Sequence, residues 1–142
     1  MVDVSEKQVT RRTATASSQI EMMPSTLLRI KENGFKKGDV IEVARLAGIM
    51  ATKRTSDIIP LCHPLKIESV EVNFDFVNDT TIGVSSTVRA TDRTGVEMEA
   101  LMAVSAAGLV VYDMCKSVDR SMKISNIQLE KKSGGKSGDF SR

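Results

Sequence analysis

Aromatic residues are scarce in this chain of 142 residues, which has no tryptophan, one tyrosine and four phenylalanines. Proteins that bind single-stranded nucleic acid commonly stack its bases on aromatic side chains, so this scarcity argues against such a platform. A large excess of one charge is also lacking, because 20 lysines and arginines stand against 18 aspartates and glutamates, for a net charge of +2. Binding to nucleic acid through charge alone needs many basic contacts. We therefore expect no nucleic-acid partner.

Cysteine and histidine are almost absent, and Cys62, Cys115 and His63 are the complete set. Two separated cysteines do not form the disulfide framework of a small secreted domain, and we interpret them as reduced thiols of a cytoplasmic protein. One histidine with two separated cysteines does not give the ligand spacing of a zinc site either. The sequence therefore predicts no metal.

Several familiar motifs are missing as well. The sequence contains no Walker-type phosphate loop and no GxGxxG, no nucleophile elbow and no internal repeat. The first residues are polar, so we expect no signal peptide, and the apolar run over 100–112 is too short to span a bilayer. We expect one domain over residues 1–142, with an N-terminal arm of about residues 1–12 and a flexible Gly/Ser/Lys-rich tail of about residues 132–142.

The most informative stretch of the sequence is residues 94–116, TGVEMEALMAVSAAGLVVYDMCK. The rest of the predicted fold is organised around it. Glu97 and Glu99 stand near its start, Asp113 and Lys116 stand near its end, and apolar or small residues lie between them. This pattern predicts a helix buried on nearly all sides, thin enough for neighbouring backbone to approach closely. Alternating and helical patterns elsewhere predict strands at 13–22, 66–77, 81–90 and 122–129 and helices at 24–33 and 39–54.

The resulting order is β-α-α-β-β-α-β, with one slip in the strand alternation near Ser69. Without the short first helix, this order is the split βαβ, or ferredoxin-like, arrangement, in which an antiparallel sheet carries its helices on one face. We therefore predict an α+β fold of this type. The opposite face of the sheet must be polar or covered, and we expect apolar residues there that an oligomer covers.

Charged residues that could carry acid–base chemistry stand at the ends of the predicted elements. Such residues suit proton transfer on a charged small molecule, although a scatter of surface ion pairs explains them equally well. Asp113 and Lys116, spaced i and i+3, share one face of their helix. The residues of this set are Lys37, His63, Glu97, Glu99, Asp113 and Lys116.

The tail offers a second possibility. Gly134, Gly135 and Gly138, with Lys132 and Lys136, could form a flexible segment that binds an anion. The alternative is a solvated, disordered tail, and composition alone favours it.

Three motifs occur together in this chain: LCHPL at 61–65, GVEMEA at 95–100 and YDMCK at 112–116. With KSGGKSGDF at 132–140 and the N-terminal MVDVSEKQVTRRTA, they closely resemble the cyclic pyranopterin monophosphate synthase family, or MoaC family, of molybdenum cofactor biosynthesis. The resemblance covers essentially the full chain. It implies an enzyme that converts 3′,8-cyclo-7,8-dihydro-GTP into cyclic pyranopterin monophosphate with release of pyrophosphate, and that uses no metal or organic cofactor.

The resemblance also implies roles for individual residues. Asp113 matches the family's catalytic aspartate, and Lys37 and Lys116 match two lysines expected to move protons. We expect His63 to bind phosphate and Cys62 to line the pocket rather than act as a nucleophile. The implied substrate-binding residues are Leu61, Cys62 and His63, then Glu97, Met98 and Glu99, and finally the basic residues Lys132, Lys7 and Arg12 near the triphosphate.

The family further implies a homohexamer built as a trimer of dimers, with active sites at the dimer interface. We expect Lys7 and Arg12, on an arm ahead of the first strand, to cross to the neighbouring subunit. The alternative function is a ferredoxin-like module that binds a nucleotide or pterin without turnover. Such a module would have no need of the complete set of Lys37, Asp113 and Lys116.

Overall fold

The computed structural model describes all 142 residues and contains five strands and four helices. The strands pair antiparallel in the order β2-β3-β1-β4-β5. In chain order the elements are β1 (Thr10–Glu21), α1 (Pro24–Lys31), α2 (Val40–Thr52), α3 (Thr55–Ile58), β2 (Ile67–Phe76), β3 (Thr81–Asp92), α4 (Glu97–Cys115), β4 (Lys123–Ser133) and β5 (Phe140–Ser141).

The first four strands have the split βαβ arrangement, with β1 and β3 in the centre and β2 and β4 outside them. α2 and α4 lie side by side on one face of this sheet; α4 contacts β1, β3 and β4, while α2 contacts β2. The prediction of an α+β, ferredoxin-like fold is therefore confirmed. The predicted slip near Ser69 is also present, as a shift in the β2–β3 register between Ile67 and Ser69.

Strand alternation places one side of the sheet in a single hydrophobic core. In β1, Ala14, Ala16 and Ile20 are buried at every second or fourth position, as the two-residue period of a strand requires. They belong to a cluster of 23 buried apolar residues that also includes the inner face of α4. The core thus lies between the sheet and the α2–α4 layer.

The opposite sheet face differs from our expectation, because the central strands carry no apolar residues there. The outward positions of β1 and β3 alternate with the buried ones and hold small or polar residues; Thr15 and Thr87 face each other with their hydroxyl oxygens 3.1 Å apart. The expected apolar sheet face is therefore wrong for these strands. Exposed apolar side chains instead line the helices, at Val43, Leu46 and Met50 of α2 and at Leu109 of α4.

α4 is the core helix, although one of its faces is open. A Cβ on Gly108 would lie 3.2 Å from Ile124, and a Cβ on Gly48 of α2 would lie 3.0 Å from the carbonyl oxygen of Ala103, so its small residues do permit close packing. Leu109, however, is 62% exposed, and the prediction of burial on nearly all sides is wrong for this face. By length and composition alone α4 could also cross a membrane, but half of it is buried inside the fold.

Both termini contain more strand than the sequence patterns predicted. β1 begins at Thr10, so Arg12 lies within a strand and not on an arm ahead of it. β4 continues to Ser133 because Lys132 and Ser133 pair with Ala14 and Thr13. β5 adds a two-residue strand beside β4, and the short helix α3 was not predicted.

Candidate functional site

Three of the predicted site residues meet at the C-terminal end of α4, and we call them the lysine–aspartate cluster: Lys37, Asp113 and Lys116. Lys116 Nζ donates to Asp113 Oδ1 at 2.6 Å, and Lys37 Nζ donates to Asp113 Oδ2 at 2.9 Å and to the Asp113 carbonyl oxygen at 3.0 Å. All three side chains are about half exposed. Hydrogen bonds from Lys116 and then Lys37, reinforced by their charges, lower the pKa of Asp113 to about 2. The carboxylate is therefore ionised and flanked by two cations.

Local structure explains how Lys37 reaches a helix that starts 60 residues later in the chain. The turn between α1 and α2 is anchored by buried Phe35 and Val40 on either side of Lys37. Gly38 adopts φ +102° in this turn, a conformation that glycine adopts without steric cost. Asp39 then caps α2 by accepting a hydrogen bond from the Glu42 amide. Lys37 is thus held between two anchored residues and directed at Asp113.

The other predicted residues gather at the N-terminal end of α4, around two adjoining cavities. The first, which we call the basic cavity, has a volume of about 410 Å³. Its five cationic side chains come from four different segments of the chain. Its lining residues are Lys7, Arg12, Arg93, Thr94, Gly95, Glu97, Lys132, Lys136 and Ser137.

Arg12 is the buried anchor of the basic cavity. It is 8% exposed, and its guanidinium donates to the carbonyl oxygens of Asp92 and Arg93, both at 3.2 Å. The tail passes directly over it, because a Cβ on Gly135 would overlap the guanidinium. Arg12 therefore fixes the turn before α4 and the glycine-rich tail at the same place.

Lys132 has an acidic partner at the cavity wall. Its Nζ lies 3.0 Å from Glu97 Oε1 and donates to Ser137 Oγ at 2.9 Å. Gly134, which adopts φ +91°, donates its amide to Asp139 Oδ1. The tail residues 132–139 thus form a structured wall of the cavity.

The second cavity, which we call the loop pocket, has a volume of about 260 Å³ and shares Thr94, Gly95 and Glu97 with the basic cavity. Because the two share these residues, they form one continuous depression with a basic half and a partly apolar half. The remaining residues of the loop pocket are Leu61, Cys62, His63, Leu65, Met98 and Glu99.

Glu99 is the unusual acid of the loop pocket. It is 3% exposed, and burial, assisted by the charge of Glu97, raises the pKa of its carboxyl group. Partial burial of the Cys62 thiol, together with the charge of Glu99, raises the pKa of that thiol. A thiol with a raised pKa is a poor nucleophile, which agrees with the expectation that Cys62 lines the pocket.

The two groups of predicted residues do not meet within one chain. Glu97 and Asp113 stand 16 positions apart on the continuous helix α4, and at 1.5 Å per residue this corresponds to about 24 Å. The lysine–aspartate cluster lies at one end of the helix, and Lys7, Arg12, Lys132 and the loop pocket lie at the other. No group of three His, Cys, Asp or Glu side chains has an arrangement that could hold a metal ion.

Arg93 and Lys136 also line the basic cavity. The sequence predicts no site role for Arg93 and places Lys136 only in a possible anion-binding tail. Arg93 stands directly before the Thr94-Gly95 turn that precedes α4. A basic residue at this position, next to the predicted site residue Glu97, is the feature of the sequence that could have identified it. Lys136 lies in the structured tail. Adding these two residues gives the basic cavity five cationic side chains.

The fold and the site define a ferredoxin-like α+β protein with a basic cavity that adjoins an acid-containing pocket. The chain belongs to the MoaC family, whose model matches residues 1–135. A cyclic pyranopterin monophosphate synthase of Brevibacillus brevis is 56% identical over 142 residues, covering 100% of this chain and 89% of the relative. Proteins of the same name from Parvibaculum lavamentivorans and Clostridium acetobutylicum are 57% and 54% identical, covering 99% and 100% of this chain and 88% and 89% of the relatives.

Proposed function

We propose that this chain is a cyclic pyranopterin monophosphate synthase that converts 3′,8-cyclo-7,8-dihydro-GTP into cyclic pyranopterin monophosphate and pyrophosphate. The observation that carries the proposal is the continuous depression formed by the basic cavity and the loop pocket. A triphosphate attached to a modified purine needs cations beside one half of the molecule and a shaped, partly apolar pocket beside the other. The names of the relatives point to the same activity. We place the enzyme in the cytoplasm, because both cysteines are free thiols.

The basic cavity binds the triphosphate in this proposal. Arg12 is already oriented by two backbone carbonyl groups, so little side-chain freedom is lost when it binds an anion. Lys132 is paired with Glu97 in the free chain, and a phosphate oxygen competes with that carboxylate for its Nζ. His63, at the adjoining pocket, contacts the phosphate nearest the ring system.

The loop pocket binds the ring system. Leu61 and Met98 supply apolar contacts, and the buried Glu99 supplies the polar one. Because its pKa is raised, Glu99 holds a proton more readily than an ordinary glutamate. It can therefore donate a hydrogen bond to a ring nitrogen or carbonyl oxygen and supply a proton during rearrangement.

The lysine–aspartate cluster supplies the remaining proton transfers. Asp113 holds the two ammonium groups in place, and Lys116 and Lys37 deliver and accept protons. The cluster cannot reach the loop pocket of its own chain, because about 24 Å of helix separates them. A complete site then requires the cluster of one chain and the cavities of another.

A homo-oligomer meets this requirement if α4 of one chain lies antiparallel to α4 of its partner. The open face of α4 carries Met102, Ser105 and Leu109 between the two charged ends. Ser105 stands midway between Glu97 and Asp113, so a two-fold axis beside it aligns each cluster with the cavities of the other chain. Each dimer then has two composite sites, and three dimers form the homohexamer. Arg12 contributes to this arrangement from β1 and not from a crossing arm.

Turnover is tested by incubating the purified protein with 3′,8-cyclo-7,8-dihydro-GTP and measuring pyrophosphate and the pterin product. We expect equimolar amounts of both products. Tight binding of the compound without either product would instead support the binding module that lacks turnover.

Composite sites are tested by mixing two impaired variants, Arg12→Ala and Lys116→Ala, under conditions in which subunits exchange. Activity is measured at a substrate concentration far below the raised KM of Arg12→Ala, where both variants alone turn over slowly. If random exchange makes half of the dimers mixed, about a quarter of all sites hold both wild-type residues. We expect activity to return toward that fraction, with exchange verified by pull-down of a tagged chain. Exchange without recovered activity would show that one chain supplies both residues, and an Arg12→Ala, Lys116→Ala double variant mixed with either single variant serves as the inactive control.

A further inference from the structure

We propose that Asp119 is a positioning residue of the active site, which joins the start of α1 to the turn after α4 and so places Lys37 and Lys116 on either side of Asp113. The inference deepens the proposed function and rests on the catalytic role assigned there to the lysine–aspartate cluster. It arises from a buried acid that the proposed chemistry does not use. Asp119 is 1% exposed and forms no ion pair with Lys, Arg or His in this chain.

One carboxylate oxygen of Asp119 is committed to α1. Oδ2 accepts hydrogen bonds from the Met23 amide at 2.8 Å and from Thr26 Oγ1 at 3.2 Å. Met23 is the N-cap residue of α1 and provides no capping side chain of its own. An aspartate that stands 96 positions later in the sequence therefore satisfies the amide of the N-cap residue, a contact that a Glu or Gln at the third helical position makes in a capping box.

The other carboxylate oxygen is committed to the turn that follows α4. Oδ1 accepts from the Ser121 amide at 3.0 Å and from Ser121 Oγ at 2.7 Å. The Asp119 amide donates to the Cys115 carbonyl oxygen at 3.1 Å, so the turn continues directly from the last residues of the helix. Lys116 stands at the C-cap between these fixed points.

α1 and the residues after it connect the position of Asp119 to the position of Lys37. The helix has eight residues and ends at Lys31, so it acts as a rigid segment of about 12 Å. Ile30 and Phe35 are buried beyond its start, and Lys37 follows them to reach Asp113. Asp119 therefore fixes one end of a short, packed connection whose other end bears Lys37, while also holding the turn that bears Lys116.

Four donors surround a buried carboxylate, so removing it leaves the Met23 amide and the buried Thr26 hydroxyl without that acceptor. The local structure must shift to satisfy them. A misplacement of about 1 Å at catalytic groups can reduce turnover about a hundredfold even when the altered residue does not touch substrate. Substrate affinity should change little, because neither Asp119 nor the lysine–aspartate cluster is among the residues that line the two cavities.

The test compares Asp119→Ala and Asp119→Asn with Val72→Ala in the assembled protein. Val72 is buried and packs against the position of Gly48 in α2, so its truncation lowers stability by leaving a core cavity. The Asn side chain keeps one oxygen acceptor and can satisfy α1 while losing the Ser121 amide. The measured quantities are kcat, KM, the melting temperature and the pKa of Asp113. The pKa is measured by NMR titration of protein labelled with ¹³C in its aspartate carboxyl groups.

We expect Asp119→Ala to lower kcat at least about tenfold with little change in KM, and Asp119→Asn to recover part of that loss. The measured pKa of Asp113 should rise in both variants from about 2 toward its ordinary value of 3.8, more in Asp119→Ala. Val72→Ala should leave that pKa unchanged. If Asp119→Ala does not assemble, the pKa of Asp113 in Asp119→Asn alone tests whether Asp119 positions the two lysines.

Two results would overturn the inference. One is an Asp113 pKa that stays at its wild-type value in both Asp119 variants. The other is a loss of kcat in Asp119→Ala no larger than that in Val72→Ala at the same loss of melting temperature. A failure of the proposed function is distinguishable, because full turnover by Lys116→Ala would remove the catalytic assignment while the Asp113 pKa still reports on positioning.

Discussion

The pKa values of the carboxyl groups at the two ends of α4 are shifted in opposite directions. At the C-terminal end, Asp113 is half exposed and held by two lysines, and its pKa is lowered to about 2. At the N-terminal end, Glu99 is buried without a cationic partner in its own chain, and its pKa is raised. Two acids whose environments move their pKa values apart are suited to different roles in acid–base chemistry. We therefore propose an ionised carboxylate that organises the lysines at one end and a proton-carrying acid at the other.

Replacing Lys116 should give the largest effect, because the proposed function gives Lys116 a role mainly in the transition state. We expect Lys116→Ala to lower kcat by about 10²- to 10⁴-fold while KM for the cyclised GTP changes far less. Steady-state kinetics and equilibrium binding measure the two quantities separately. Lys123→Ala is the matched control, since Lys123 is also an exposed lysine paired with a carboxylate, Glu21. Near-normal turnover by Lys116→Ala would contradict the role given to the C-terminal end.

Replacing Arg12 should have the opposite kinetic signature. Arg12→Ala removes a pre-oriented cation from the basic cavity, and we expect KM to rise by roughly 10- to 100-fold, as for the loss of a charge-assisted contact. Arg11→Ala is the control, because Arg11 immediately precedes Arg12 in β1 and is exposed. Pyrophosphate inhibition of both variants tests the assignment independently, and unchanged inhibition of Arg12→Ala would place the triphosphate elsewhere.

A smaller effect is expected from two tail glycines with similar backbone conformations. Gly135 and Gly138 adopt φ +87° and +71°, so alanine strains the backbone at either position by about 1–2 kcal/mol. Only at Gly135 would the new Cβ overlap the Arg12 guanidinium, whereas nothing lies within 4 Å at Gly138. Gly135→Ala should therefore raise KM severalfold more than Gly138→Ala, and it should also lower the melting temperature more, because the Arg12 guanidinium must move. Equal KM values would mean that the tail does not shape the cavity.

Much of this architecture could be predicted because it depends on local pattern. The alternation in β1 and the slip near Ser69 follow from the two-residue strand period, and the i, i+3 pair of Asp113 and Lys116 follows from helix geometry. The polar outer sheet face was equally available from that alternation, yet we expected apolar residues there. Exposed apolar residues occur instead on the helices, at Val43, Leu46 and Met50 of α2 and at Leu109 of α4.

The remaining features depend on contacts between distant residues. Composition indicated a flexible glycine-rich tail, but the extension of β4 exists because Lys132 pairs with Ala14, across more than a hundred residues. Two other contacts also join residues that are far apart in the sequence. Lys37 contacts Asp113, and Asp119 contacts the N-cap amide of α1. In contrast, the separation between the cavities and the lysine–aspartate cluster could be predicted from the sequence, because Glu97 and Asp113 stand at opposite ends of one predicted helix.

Acid titration should give the smallest effect and tests the organiser role of Asp113 directly. Because the pKa of Asp113 is lower in the folded chain than its ordinary value of 3.8, its ionised form favours folding. That contribution is present above about pH 4 and is lost as the pH falls toward about 2. We expect a modest contribution, since both ion pairs are about half exposed.

The measurement compares wild type with Asp113→Asn by chemical denaturation from pH 7 to pH 2 at one protein concentration. Asp119 and Glu130 also have lowered pKa values, so the wild type should lose stability for several reasons. Their contributions cancel in the difference between the two proteins. We expect that difference to favour wild type at pH 5–7 and to shrink toward zero near pH 2. A difference that stays constant with pH would mean that the lysines do not hold the Asp113 carboxylate, and the contrast between the two ends of α4 would then depend on Glu99 alone.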